Sequence, residues 1–205
     1  MRRIVAVLAP LVLAGCLADG LTLAGMSGSE DPRGVRALRV LDGSVSVRAP
    51  DGYCIDMEAS RARRGFAVMA GCALISDAAR LMPSLDGLIT VQVGAPGSAV
   101  VNGDPARLAA FLDSAAGAAL LGDAVRVQDV ALGAASVAVR FDPDGPPRLD
   151  GTDGPVWRGF LDLDDRAVTV TVRGFARAPL SPDEGGRLLD IAMTEIAVAN
   201  RDPAE

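Results

Sequence analysis

The sequence predicts an α+β domain, with a mainly antiparallel sheet of about six to eight strands and two principal helices packed on it. Three observations predict it. Short apolar or alternating runs, bounded by Gly, Pro, Asp and Asn, recur along residues 34–176, as expected of strands joined by tight turns. Only two segments combine a 3.6-residue apolar period with a capping residue. Strands with so few helices between them favour antiparallel pairing over a parallel, doubly wound sheet.

In chain order, "GVRALRVL" (34–41) and "SVSVRAP" (44–50) flank Asp42-Gly43, a hairpin signal. "GFAVMAGCALI" (65–75) is almost wholly apolar and reads as a central strand buried on both faces. "GLITVQVG" (87–94) is a further strand. The first helix is expected within 102–122, with Asp104 as N-cap, Pro105 in the first turn, Leu108, Phe111, Leu112 and Ala115 on one face, and Gly122 at its end. "AVRVQDVAL" (124–132) and "SVAVRFD" (136–142) form a strand pair. "VWRGFLDLDD" (156–165) and "AVTVTVRGFA" (167–176) form another, in which Val168, Val170 and Val172 alternate with Thr169, Thr171 and Arg173. The second helix starts at a capping box, Ser181 with Glu184 three residues on and Pro182 between. Leu188, Ile191, Ala192, Ile196 and Ala199 set its apolar stripe, Glu195 lies at the edge of that stripe, and Asn200 ends the helix.

Composition excludes several chemistries. The chain has 205 residues, 50% of them apolar and only 3% aromatic, so its core must be aliphatic. All 20 basic residues are Arg and there is no His. Without Lys there is no phosphate-loop lysine and no Schiff base. Without His there is no Ser-His-Asp triad and no zinc–histidine site. The net charge of −6 argues against nucleic acid as a partner.

The N-terminus is the most specific stretch. Arg2 and Arg3 precede an apolar run over residues 4–14, too short to cross a bilayer and of signal-peptide length. The run ends in Leu13-Ala14-Gly15-Cys16, which resembles the lipobox of bacterial lipoproteins. That resemblance implies cleavage before Cys16, a diacylglycerol thioether on its sulfur and acylation of the new N-terminus. Two or three acyl chains are enough for stable membrane anchoring. Leu17 stands where an aspartate retains some lipoproteins in the inner membrane, so the resemblance favours the outer membrane. The chain then divides into a signal peptide (1–15), a lipidated N-terminus with a Gly/Ser/Asp-rich tether (16–33) and one α+β domain (34–205). In element order, residues 35–200 are also similar to the PsbP-like fold, seen in extrinsic photosystem subunits and in bacterial lipoproteins.

Export places Cys54 and Cys72 in an oxidising compartment. With Cys16 committed to lipid, they are expected to form a structural disulfide; free thiols, a redox pair or a metal site are the alternatives. A metal site lacks further ligands, and the spacing of 18 is not that of a redox C-x-x-C pair. Between the two cysteines lies the densest positive cluster, Arg61, Arg63 and Arg64, a candidate contact for an anion or an acidic partner, or else a solvated loop tip.

Asp142, Asp144, Asp150 and Asp153 crowd a Pro/Gly-rich stretch as a weak calcium candidate, although the EF-hand spacing is not met. Asp162, Asp164 and Asp165 offer a carboxylate pair for acid–base work, but at a hairpin turn, where Asp is favoured for its own backbone bonds. Trp157 and Tyr53 are each the single residue of their type, which leaves little for sugar stacking. No cofactor is expected. The sequence therefore predicts a lipid-anchored, non-catalytic binding or assembly module facing the periplasm, held to the membrane by its anchor and engaging an envelope protein. A carboxylate-only hydrolase and a small-ligand carrier with an apolar cavity are the alternatives.

Overall fold

The structure, a computed structural model, describes residues 34–77, 79–145 and 149–201. The expected signal peptide (1–15), Cys16 and the expected tether (16–33) lie outside the described residues. Among the described residues, nine strands, four α-helices and one 3₁₀ turn make up the fold, an α+β architecture with a mainly antiparallel sheet, as predicted. β1 (Ala37–Val40) and β2 (Val45–Arg48) form a separate antiparallel hairpin. Its turn needs left-handed backbone at Leu41, Asp42 and Gly43 (φ 52°, 57° and 91°), which Asp-Gly tolerates best.

The main sheet has seven antiparallel strands in the order β3 (Tyr53–Ile55), β4 (Phe66–Gly71), β5 (Gly87–Val93), β9 (Arg166–Phe175), β8 (Thr152–Leu163), β7 (Ser136–Pro143), β6 (Val125–Leu132). Side chains alternate between its faces. One face carries Ala67, Met69, Ile89, Val91, Val168, Val170, Val172, Trp157 and Leu161, all buried. The helix α4 (Pro182–Ala199) crosses it with Leu188, Leu189, Ala192, Met193 and Ile196. The β1–β2 hairpin adds Val40, Val45 and Val47 to the same core. On the opposite face, α2 (Pro105–Leu112) and α3 (Ala115–Leu121) enclose a second core of Leu112, Leu121, Val137, Val139, Phe141 and Val156.

The two helical layers are offset. α4 and the hairpin serve the β4–β5–β9–β8 side of one face; α2 and α3 serve the β6–β7–β8 side of the other. Among the described residues, half of each sheet face therefore carries no helix.

Several predicted elements are corrected. The apolar run at 65–75 is not one central strand: β4 ends at Gly71, and Cys72 opens the short helix α1 (Cys72–Ile75). Gly71 allows this because Pro83 and Met82 fold back onto it, leaving no room for a side chain. β4 is also second from the edge, with Phe66 and Val68 half-exposed. β3 was not expected at all.

The first helix is two: the chain breaks at Asp113 and Ser114, and Ser114 Oγ accepts from Gly117 N–H at 3.2 Å to start α3. Its predicted stripe is correspondingly disrupted, with Leu112 buried and Phe111 39% exposed. Ile191 of α4 is likewise exposed, its place on the buried stripe taken by Leu189 and Met193.

The capping box is present. Ser181 N–H donates to Glu184 Oε2 at 2.9 Å, and this bond holds the Glu184 carboxyl below its ordinary range. At the other end, Asn200 caps α4 and pins it to β2. Its Nδ2 donates to the Ser46 and Ile196 carbonyls at 2.7 Å each, and its Oδ1 accepts from Ser46 N–H at 2.8 Å.

Candidate functional site

Cys54 ends up buried on β3 and Cys72 on the first residue of α1, and they form a disulfide with a Cα–Cα distance of 4.7 Å. The distance suits the bond geometry. The strand pairing beside it, Cys54 opposite Ala70, brings the two segments together. The bond seals a small cluster with Ala79 and Ile75.

The structure divides the arginine cluster between them. Arg61 turns onto its own loop, its guanidinium donating to the Glu58 and Ser60 carbonyls at 2.5 and 2.7 Å. Arg63 and Arg64 lie on an exposed 3₁₀ turn that closes at Gly65, φ 67°. Arg64 alone faces a depression of about 520 Å³, shared with Asp42, Gln92, Pro96 and Arg166. Gln92 Nε2 donates to the Arg64 carbonyl at 3.0 Å, and Arg166 to the Gly94 carbonyl at 2.9 Å. Arg166 was not singled out in the sequence, since only the β5–β9 pairing brings it here, 102 positions from Arg64.

The aspartates are engaged in local structure. Asp144 pairs with Arg126 at 2.9 Å, Asp142 accepts from Gln128 at 2.9 Å, and Asp153 accepts from Gly154 N–H at 2.7 Å. Asp150 is exposed at a turn. Among the described residues, no group of three or more Cys, Asp or Glu side chains gathers as a metal site.

At the β8–β9 tip, Asp164 supplies the left-handed turn residue (φ 53°) and Asp165 Oδ2 accepts from Gly97 N–H at 2.9 Å. Asp162 accepts three backbone N–H groups, from Val100, Val101 and Asn102, at 3.0, 2.6 and 2.7 Å. This pair ties the 97–102 loop to the tip. Asp162→Ala is expected to cost about 2–3 kcal/mol, because three donors lose one charged acceptor. Urea unfolding measures it; a change under about 0.5 kcal/mol, ordinary for a bystander surface residue, would refute the tie.

Two further concavities lie beside the helices. Val100, Leu108 and Phe111 line an open groove of about 510 Å³ edged by Asp104 and Arg107. On the opposite face, where α4 stops short of β6, Asp129, Arg140, Asp183 and Asp190 surround a cleft of about 230 Å³ floored by Ala131, Ala138 and Trp157. The remaining half-face carries Phe66, Val68, Leu88, Thr90 and Thr169, all half-buried, with Gln92 exposed. Phe66, Val68 and Leu88 belong to none of the three buried clusters. Cross-strand pairing sets them in rows, Val68 opposite Thr90 and Phe66 opposite Gln92.

No family model matches the chain, and no curated protein matches it. Among solved structures, the Ran-binding protein Mog1p of Saccharomyces cerevisiae is similar at 11% identity and a TM-score of 0.47, over 80% of this chain and 92% of that one. A mutant of protein Mog1 is similar at 9% identity and the same TM-score, over 80% of this chain and 93% of that one. A likeness at this level carries no argument about function.

Proposed function

We propose that the protein is a lipid-anchored, non-catalytic binding or assembly module on the periplasmic face of the cell envelope, the outer membrane favoured, and that its helix-free half-face on β4, β5 and β9 receives an envelope protein. The reading rests chiefly on that half-face. Phe66, Val68 and Leu88 are apolar side chains outside every buried cluster, interleaved with Thr90, Gln92 and Thr169. An apolar centre with hydrogen-bonding neighbours is the usual composition of a protein interface. The Cys54–Cys72 disulfide supports the oxidising compartment that the lipobox implies. The rival hydrolase reading loses its best carboxylates, since Asp162 and Asp165 are held by backbone donors. The carrier reading asks for an enclosed apolar cavity, and the concavities beside the helices are open to solvent.

Two measurements test it. Labelled palmitate enters the wild-type protein and not Cys16→Ser, whose signal stays uncleaved at this site; label in Cys16→Ser would sink the anchor. In crosslinked envelopes, the wild type captures a partner that Val68→Arg with Leu88→Arg does not. Equal capture by both would move binding off this face.

A further inference from the structure

We infer that the protein makes a second, direct contact with the membrane that anchors it, through an apolar surface at the point where the tether joins the fold. The inference rests on the lipid anchor proposed above. The surface comprises Val35, Leu74, Leu81 and Met82, exposed by 38, 47, 47 and 46%. They are four of the twelve large apolar side chains exposed among the described residues. Single exposed apolar residues need no explanation, but the backbone segments that carry these four meet at one place.

That place is the disulfide. Gly34, the first described residue, packs so closely on Cys54 Sγ that a Cβ there would collide with it, and its φ of +78° also excludes most side chains. Val35 is fixed by its carbonyl, which accepts from Ile55 N–H at 2.8 Å. Cys72, the other half of the bond, leads directly into Ala73 and Leu74. Ala73 N–H donates to the Leu81 carbonyl at 3.0 Å, so residues 79–82 fold back against α1. Met82 packs onto Gly71, one residue before the cysteine. The disulfide thus joins β3, on which Gly34 and Val35 rest, to α1, on which the stretch through Leu81 folds back.

The occupant follows from where the anchor is. Cys16 precedes Gly34 by 18 residues, which even fully extended reach no more than about 65 Å. The tether junction is then the part of the described fold nearest along the chain to the anchored residue. Tethering raises the local concentration of a weak contact to the millimolar range or above, and interfacial binding grows with the apolar area buried. The protein is acidic overall and Asp77 is exposed in the same stretch, so the contact is carried by the apolar side chains and not by attraction to anionic headgroups. Arg80, exposed within the same stretch, is placed to meet a headgroup phosphate.

The test uses the mature acylated protein in vesicles of phosphatidylethanolamine and phosphatidylglycerol, with and without brominated acyl chains that quench indole fluorescence. Leu74→Trp and Leu81→Trp report on the patch. Leu120→Trp, on α3 at the opposite edge of the sheet, is the control, and wild-type Trp157, 3% exposed, sets the baseline. Both patch variants are expected to shift to the blue on reconstitution and to lose emission to bromolipid, while Leu120→Trp and the wild type do not. Protein that floats with the vesicles while Leu74→Trp and Leu81→Trp are quenched no more than Leu120→Trp overturns the contact and leaves the anchor standing. Protein that carries no acyl chain and does not float overturns both. A blue shift that follows protein density in vesicles without any bromolipid quenching assigns the patch to a second copy of the chain, and also overturns the contact.

Discussion

Gly185→Ala is expected to destabilise the protein by about 3 kcal/mol, while the same change one residue on, Gly186→Ala, stabilises it by about 0.5–1 kcal/mol. Both glycines sit in the first turns of α4, and alanine in a helix normally outranks glycine by about 1 kcal/mol. At Gly186 that rule is unopposed, since nothing lies within 4 Å of where a Cβ would stand. At Gly185 the Cβ would fall onto the fused edge of the Trp157 indole.

Neither partner in that clash can yield cheaply. Trp157 is 3% exposed and set in the sheet between Val172 and Arg140. α4 is fixed at its start by the Ser181–Glu184 box and at its end by the Asn200 bonds to Ser46. The overpacking strain therefore outweighs the propensity gain and reverses its sign. Urea titrations of the two variants decide it; stabilisation by both would mean that α4 does not rest on the indole.

That contact also marks how far the sequence could be read. Local chemistry was legible. Asp42-Gly43 signalled the first hairpin, and Ser181 with Glu184 signalled the start of α4, because a turn or a cap is satisfied by residues within reach of one another. Alternation at Val168, Val170 and Val172 identified the buried face of β9.

What could not be read depended on distant packing. Tyr53–Ile55 is three residues long and wholly buried, too short to show a period. The run at 65–75 has no polar residue to reveal that the chain leaves the sheet at Gly71, since the cause is Pro83, which packs on that glycine from 12 positions away. Phe111 and Leu112 fit one helical stripe until the close approach of Gly117 to their backbone splits the helix.

The candidate site shows the same division. Cys54 and Cys72 could be paired by counting cysteines. The separation of Arg61 from Arg64, the arrival of Arg166 and the half-face left by two offset helical layers all require the strand order.

Breaking the disulfide is expected to lower stability by about 3 kcal/mol while leaving the fold intact. The bond closes a loop with a sequence separation of 18, and in the chain-entropy model its chief effect is to restrict the unfolded chain by about that amount. The fold survives because β3 keeps its pairing with β4, Tyr53 opposite Gly71 and Ile55 opposite Met69, and because Tyr53 is held separately. Its hydroxyl donates to the Leu85 carbonyl at 2.5 Å and accepts from Gly87 N–H at 3.0 Å.

Cys54→Ala and Cys72→Ala should each cost nearly as much as the double variant, since either removes the whole bond; only the small second cavity at a fully buried site is added by the other. Alanine is the better probe than serine, which would place a hydroxyl among Ala79 and Ile75. The loss should be local as well as global. Amide exchange should quicken in α1 and the 79–83 segment, where the bond seals its cluster, and stay slow in β8 and β9, whose core lies elsewhere. Two free thiols in protein purified without reductant, or single variants whose costs add in the double, would show that this staple does not join β3 to α1.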